Sequence, residues 1–216
     1  MITPGRQERT IRSGAFKGLR MQLDLRHHAQ NYLGLYEREL HAALRELSTG
    51  IRCAVDVGSS DGSYALYFLA RTQAQRVLSF EPDPAARAAL HDNLALNGFS
   101  SSTKLRFIDQ AVGDGTGGRL ALDDLLAEIS LPAAIKVDVE GAEADVLRGA
   151  DALIRRGHVG WLIETHSAAL ERECLELLRD HGYVPRVVAP AWWRIVVPES
   201  RPIPHNQWIV APALRP

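Results

Sequence analysis

Between Ile51 and Thr165 the chain alternates apolar strand-type runs with helical patterns, and this alternation limits its fold more than any other feature. The runs are "IRCAVDVG", "RVLSFEP", "KLRFIDQAV", "AAIKVDVEG" and "VGWLIETH". Helical patterns follow at Ser63 to Arg71, at Pro84 to Leu96 (stopped by "NG"), in part of "LALDDLLAEI", and in "AEADVLRGADALIRRG" and "SAALERECLELLRDHG". Apolar strands separated by helices indicate βαβ units on a parallel sheet covered on both faces. Right-handed crossovers then give a doubly wound α/β sandwich. Ahead of it, "FKGLRMQLDL" reads as a strand or hairpin. "YLGLYERELHAALREL" reads as one amphipathic helix, with Leu33, Tyr36, Leu40, Leu44 and Leu47 on a face and Gly50 at its end. After it, "YVPRVVAP" and "HNQWIVAP" read as two closing strands.

A chain of 216 residues is long enough for one sizeable core and short for two. The expectation is a single domain: a lead-in over 1–50, a ligand-binding core over 51–166, and a C-terminal helix and hairpin over 167–216. A net charge of −1 gives no electrostatic reason to expect nucleic acid or an acidic membrane as partner. "MITPGRQERTIRSGAFKG" is basic but has no apolar stretch of the signal-peptide kind, and no apolar run approaches a bilayer-crossing length. Two cysteines, Cys53 and Cys174, cannot make a disulfide framework and read as buried small hydrophobes, which suits a reducing cytoplasm.

In doubly wound sheets the ligand crevice lies at the carboxyl ends of the strands. Here those ends carry Asp56, Glu81, Gln110, Asp138 and Glu164. After the first of these strands comes Gly58-Ser59-Ser60-Asp61-Gly62, a glycine turn opening a helix. A dinucleotide fingerprint would need G-x-G-x-x-G, so that a pyrophosphate meets bare backbone at the second glycine. Ser60 stands there instead, and Asp61 would repel the phosphates, which argues against an NAD-dependent oxidoreductase. A ligand with an ammonium group would be received well by Asp56 and Asp61. Glu81, at the end of the next strand, can accept both hydrogen bonds of a ribose diol. S-adenosylmethionine has both features, and the pattern points to it. A helix cap by Asp61 or Ser63 would explain the turn alone.

Four blocks carry a resemblance: "VDVGSSDGSYALYFLA", "VLSFEPDPAARAALHDNLALNG", "IDQAVGD" and "IKVDVEGAEADVLRGA", with "LIETH" after the last. Over roughly residues 14 to 166 the chain resembles the FkbM-type family of S-adenosylmethionine-dependent methyltransferases. The resemblance implies the class I methyltransferase fold, a Rossmann-like sheet of seven strands with the last antiparallel. It also implies O-methylation of a hydroxyl on a small metabolite, a sugar or a secondary metabolite. N-methylation, a peptide- or lipid-linked acceptor, and a non-catalytic cofactor-binding partner are the alternatives. Carried over by position, Asp56, Gly58, Ser59, Asp61 and Gly62 would line the methionine part of the cofactor. Glu81 and Pro82 would hold the ribose, and Asp109, Gln110 and Ala111 would lie near the adenine. Ser59-Ser60 departs from the usual turn. The C-terminal third matches least, and neither the acceptor nor a choice between monomer and homodimer can be read from it.

Lys136, Asp138 and Glu140 alternate onto one side of "IKVDVE", and "ETH" places Glu164 and His166 alike. Charged residues at these positions need partners or a ligand. One reading makes His166 or Asp138 the general base for an alcohol, with Glu164 and Lys136 as neighbours that set its pKa. A second has Asp138, Glu164 and His166, with Glu140 as a further ligand, hold a divalent cation such as Mg2+. A third pairs Lys136 with Glu164 or Asp138 as a buried ion pair, with Glu140 capping a helix that starts at Gly141. "AWWR" (Trp192, Trp193, Arg194) can roof a pocket or simply pack. His27 and His28 read as solvated surface.

Overall fold

A computed structural model describes residues 5–195, 205 and 207–214. The chain opens with an antiparallel pair, β1 (Gln7–Thr10) and β2 (Arg20–Leu23), followed by α1 (Leu25–Leu33) and α2 (His41–Leu47). The core then runs β3 (Cys53–Val57), α3 (Ser63–Arg71), β4 (Arg76–Phe80), α4 (Pro84–Leu96), β5 (Leu105–Ile108) and β6 (Ala133–Val137). After it come α5 (Glu143–Arg148), α6 (Asp151–Arg155), β7 (Val159–Thr165), α7 (Ala168–Asp180), β8 (Arg186–Val188) and β9 (Gln207–Ala211).

Seven strands form one sheet in the order β5-β4-β3-β6-β7-β9-β8. The pairs from β5 to β7 are parallel, and β9 is antiparallel to both β7 and β8. The order reverses between β3 and β6, which places the crevice of a doubly wound sheet beyond the carboxyl ends of those two strands.

Both sheet faces are buried, and the strands alternate between two cores. Cys53, Val55, Val57, Ile135, Val137, Trp161 and Ile163 pack under α5, α6 and α7. Ala54, Ala134 and Leu162 face the other way, toward α2, α3 and the lead-in. On that second face Gly160 lies so close to Leu47 that a Cβ would press on it, so small residues let α2 approach. The same alternation carries Asp56, Lys136 and Glu164 onto the lead-in face at the strand ends, with Asp56 beside Lys136 in register. The polar constellation is thus built by strand periodicity.

Two helices differ from the sequence expectation. The helix expected from "YLGLYERELHAALREL" breaks at Gly34, which takes a left-handed φ of 76° and donates its N–H to Asn31 and Gln30 carbonyls. Glu37 is also left-handed, at φ 42°, and a 3-10 turn Arg38–Leu40 leads into α2. The pattern "AEADVLRGADALIRRG" divides into α5 and α6 at Gly149, where a side chain would strike the Gly113 carbonyl. Elsewhere local signals hold. Asp83 caps α4 by accepting from the Ala85 and Ala86 N–H groups, and Ser167 caps α7 through Leu170 N–H.

Candidate active site

A cleft of about 770 Å³ opens at the carboxyl ends of β3, β4 and β6 and is walled on its far side by the lead-in. One half is the glycine turn. Gly58, at φ 79°, packs so tightly on the Asp138 carbonyl that no Cβ fits, and this contact locks the ends of β3 and β6 together. Four of the turn's N–H donors are satisfied within the protein. Gly58 and Ser59 N–H groups donate to the Phe80 carbonyl, Gly62 N–H to the Ser59 carbonyl, and Ser60 N–H to Glu81 Oε2 at 2.8 Å. Ser63 N–H and hydroxyl both donate to Asp61 Oδ1, so Asp61, one residue before the N-cap Gly62, ties down the first residue of α3. Glu81 Oε1 accepts from Asp83 N–H. The ligand therefore meets a wall of carboxylates and few bare amides. Asn93 donates to the Asp61 carbonyl and accepts from Gln22 N–H, tying this turn to β2.

Of the residues carried over for the cofactor, Gly58, Ser59, Asp61, Glu81, Pro82, Gln110 and Ala111 line the cleft. Ser60, at φ 47°, lines it too. Gly62 lies behind the turn against Leu90. Asp109 is exposed and is not among the lining residues. Asp56 is fully buried beneath the turn and does not line the cleft either. Neither of its carboxylate oxygens has a hydrogen-bond partner, because the nearby Ser59 hydroxyl bonds to the Asp56 carbonyl and to Ser79 Oγ. Desolvation lifts the Asp56 carboxyl to about 6, against a smaller opposing pull from Lys136.

The other half gathers at β6 and β7. Lys136 Nζ donates to Asp138 Oδ2 at 3.0 Å and lies 4.6 Å from the centre of the Tyr64 ring. Burial alone would lower the Lys136 pKa; Asp138, Asp56 and Glu37 outweigh burial and hold it above its ordinary value. The ion pair expected from the sequence is present, with Asp138 as the partner. Glu164 is 3% exposed, and burial, reinforced by the charges of Asp138 and Glu37, raises its carboxyl to about 8. His166 Nδ1 lies 2.5 Å from Glu143 Oε1, its Nε2 is 3.6 Å from Asp138 Oδ1 and 3.9 Å from Glu164 Oε1, and Glu143 raises its pKa. Asp138 and Glu164 line the cleft, whereas His166 stands just behind them.

Glu140 departs from the expected alternation. It sits in a left-handed turn at φ 39°, is exposed at the cleft, and does not cap α5. The buried residue at that helix start is Glu143, whose Oε1 also accepts from Gly141 N–H. Sequence reasoning missed it because an acid in a first helical turn is ordinary. It also missed Glu37, which is 2% exposed in the lead-in, lines the cleft and accepts from the Tyr64 hydroxyl. Burial raises the Glu37 carboxyl, with Lys136 opposing. No spacing marks Glu37 out among "YERE". His27 and His28 line the cleft and are not merely solvated surface. Trp192 is exposed and away from the cleft, while Arg194 grips Glu39 with two hydrogen bonds of 2.8 and 2.9 Å. The Trp193 side chain lies outside the described residues. Cys53 and Cys174 are buried thiols, pushed by desolvation to about 11 and about 12.

The strand order, the antiparallel β9 and the glycine turn after β3 define the class I methyltransferase fold. Within that class the chain resembles the FkbM-type family, and the model for the methyltransferase FkbM domain matches residues 119–185. Methyltransferase FkbM from Methylobacillus flagellatus KT shares the fold with TM-score 0.55 and 21% identity, over 74% of this chain and 43% of that one. This chain thus spans less than half the length of that relative. An rRNA methylase from Streptococcus thermophilus superposes with TM-score 0.53 and 16% identity, over 83% and 98% of the two chains. A putative tRNA (m1A22) methyltransferase from Streptococcus pneumoniae, in complex with S-adenosyl-L-methionine, does so with TM-score 0.50 and 15% identity, over 83% and 75%. No curated protein matches the sequence. Among the described residues no helix is long and apolar enough to cross a membrane.

Proposed function

We propose that the chain is an S-adenosylmethionine-dependent O-methyltransferase acting on a hydroxyl of a small metabolite, a sugar or secondary metabolite. The observation that carries the donor half is the fate of the turn's N–H groups. A pyrophosphate site leaves them free for the anion, whereas here Ser60 N–H is held by Glu81 and the Gly58, Ser59 and Gly62 N–H groups by carbonyls. Asp61 and Glu81 then face the cleft as acceptors for an ammonium group and ribose hydroxyls. Gln110 and Ala111, which also line the cleft, are assigned to the adenine.

The acceptor half rests on Asp138, Glu164, His166 and Lys136. An acceptor hydroxyl held beside Asp138 gives up its proton to the Asp138–His166 pair, and its oxygen attacks the sulfonium methyl in line. The carbon–sulfur bond breaks with its electrons going to sulfur, leaving S-adenosylhomocysteine and the methyl ether. Alignment at about 3–3.5 Å supplies much of the rate, and the general base supplies a further part. Lys136 holds Asp138 in place through its 3.0 Å ion pair. Asp61, Glu81, Asp138 and Glu140 on the cleft wall oppose a polyphosphate chain and favour a small neutral acceptor reached past His27, Gln30 and Asn31.

Thermal unfolding with S-adenosylhomocysteine and, separately, NAD tests the donor. A ligand at a hundred times its dissociation constant adds about 2.7 kcal/mol. A rise in melting temperature with S-adenosylhomocysteine alone is expected; a rise with NAD alone would reverse the reading. Cofactor binding without methyl transfer to any of a panel of hydroxylated acceptors would favour the non-catalytic partner.

A further inference from the structure

The β6–β7 end of the cleft gathers more carboxyl groups than basic ones. Glu37, Asp56, Asp138, Glu143 and Glu164 converge there against Lys136 and His166. Five buried atoms in this group lack any hydrogen-bond partner: both Asp56 carboxylate oxygens, Glu143 Oε2, Glu164 Oε2 and His166 Nε2. Of these, Glu164 Oε2, on a side chain only 3% exposed, and His166 Nε2 stand together at this end of the cleft. Their orientation is set from behind. Glu143 engages Nδ1 of His166, leaving Nε2 aimed at Asp138 Oδ1 and Glu164 Oε1. Lys136 takes Asp138 Oδ2, the oxygen turned away from His166.

We infer that Asp138, Glu164 and His166 form a binding site for one divalent transition-metal cation, with Glu143 as the outer residue that orients the imidazole. One donor atom from each of the three lies within 4.8 Å of the others. A cation with ligands at about 2.0–2.2 Å places neighbouring donors about 3 Å apart and opposite ones about 4.3 Å apart. The observed 3.6 and 3.9 Å fall between these, so small side-chain shifts close the site. An imidazole with two carboxylates suits Mn2+ better than Mg2+, which prefers an all-oxygen shell. A carboxylate on the far nitrogen of a ligating histidine is the usual outer-sphere arrangement. The consequence for catalysis rests on the methyl-transfer reading above. With Asp138 and His166 held as ligands, the cation would take over from that pair, lowering the pKa of the acceptor hydroxyl so that its proton passes to water while negative charge on the oxygen is stabilised. The site itself does not depend on that reading.

The test is a titration of Mn2+ into the dialysed full chain, following free Mn2+ by electron paramagnetic resonance, with S-adenosylhomocysteine binding measured separately on the same protein. One Mn2+ per chain is expected, at a concentration below about 1 mM. Glu164→Gln and His166→Gln should each weaken it at least tenfold, and Glu143→Gln by about 10–100-fold through the imidazole alone. The melting transition of each variant confirms its fold. No saturable Mn2+ in a folded chain that binds S-adenosylhomocysteine overturns the cation site and leaves the methyl donor standing. Binding unchanged in both Glu164→Gln and His166→Gln also overturns it. Mn2+ bound as expected without S-adenosylhomocysteine keeps the site and removes the methyl-donor reading.

Discussion

The two halves of the cleft use carboxylates in opposite ways. At the glycine turn, Glu81 and Asp61 accept hydrogen bonds from backbone N–H groups and shape the loop that carries them. At β6 and β7, Asp138 and Glu164 face Lys136 and His166, while Glu164 Oε2 and His166 Nε2 keep no hydrogen-bond partner. A carboxylate satisfied by backbone defines a surface and stays in one state. A buried carboxylate facing titratable side chains is responsive, because its charge depends on what arrives. The first half is suited to holding a ligand still and the second to handling protons or a cation.

The strongest way to break this contrast is to remove the central cation. Lys136→Met should cost about 3–5 kcal/mol, as for any buried charge cluster that loses a partner, read as a lower urea midpoint with unchanged slope. A loss below about 1 kcal/mol would mean the acids are already neutral and the second half is not charged.

Asp56 gives a signed test with a smaller effect. Its carboxyl is raised from 3.8 to about 6, so the folded chain keeps a proton that the unfolded chain releases. Stability should therefore fall as pH rises from about 4 to about 6, and the deficit should persist above that. Asp56→Asn should flatten this slope and leave the variant about 3 kcal/mol more stable than the wild type at pH 8. Denaturant titrations across pH would show it. A variant less stable at pH 8 would mean that the charge Asp56 presents to Lys136 outweighs the cost of burying it.

On the other side of the contrast, Glu81→Gln should weaken S-adenosylhomocysteine about tenfold, by calorimetry, since charged acceptors strengthen hydrogen bonds by about 1.5–3 kcal/mol. Asp109→Asn, exposed and outside the lining, should change that affinity by less than about twofold. A large effect there would move the adenine toward β5.

The core was legible in the sequence because its signals are local. Asp83 before Pro84 marks the start of α4, and the unbroken apolar run Cys53, Ala54, Val55 marks a strand buried on both faces. The breaks in the lead-in helix and between α5 and α6 were not, because each is imposed by distant backbone. Gly149 is held by Gly113, and Gly34 fits under Ser13. The site was half legible for the same reason. Asp138, Glu164 and Lys136 lie at strand ends where topology alone brings them together. Glu37 and Glu143 enter from a lead-in turn and a helix start, where an acid is unremarkable until its partner is seen.

The sheet ends at β5 on one side and β8 on the other, strands of four and three residues. Each carries an arginine, Arg106 paired with Glu128 and Arg186 with Glu46. Short, charged edges are poor templates for a second chain. The long apolar strands β3, β6 and β7 sit inside the order and have no such guard. The chain's resistance to aggregation therefore belongs to its folded state, and any change that opens the sheet between β4 and β7 would forfeit it at once.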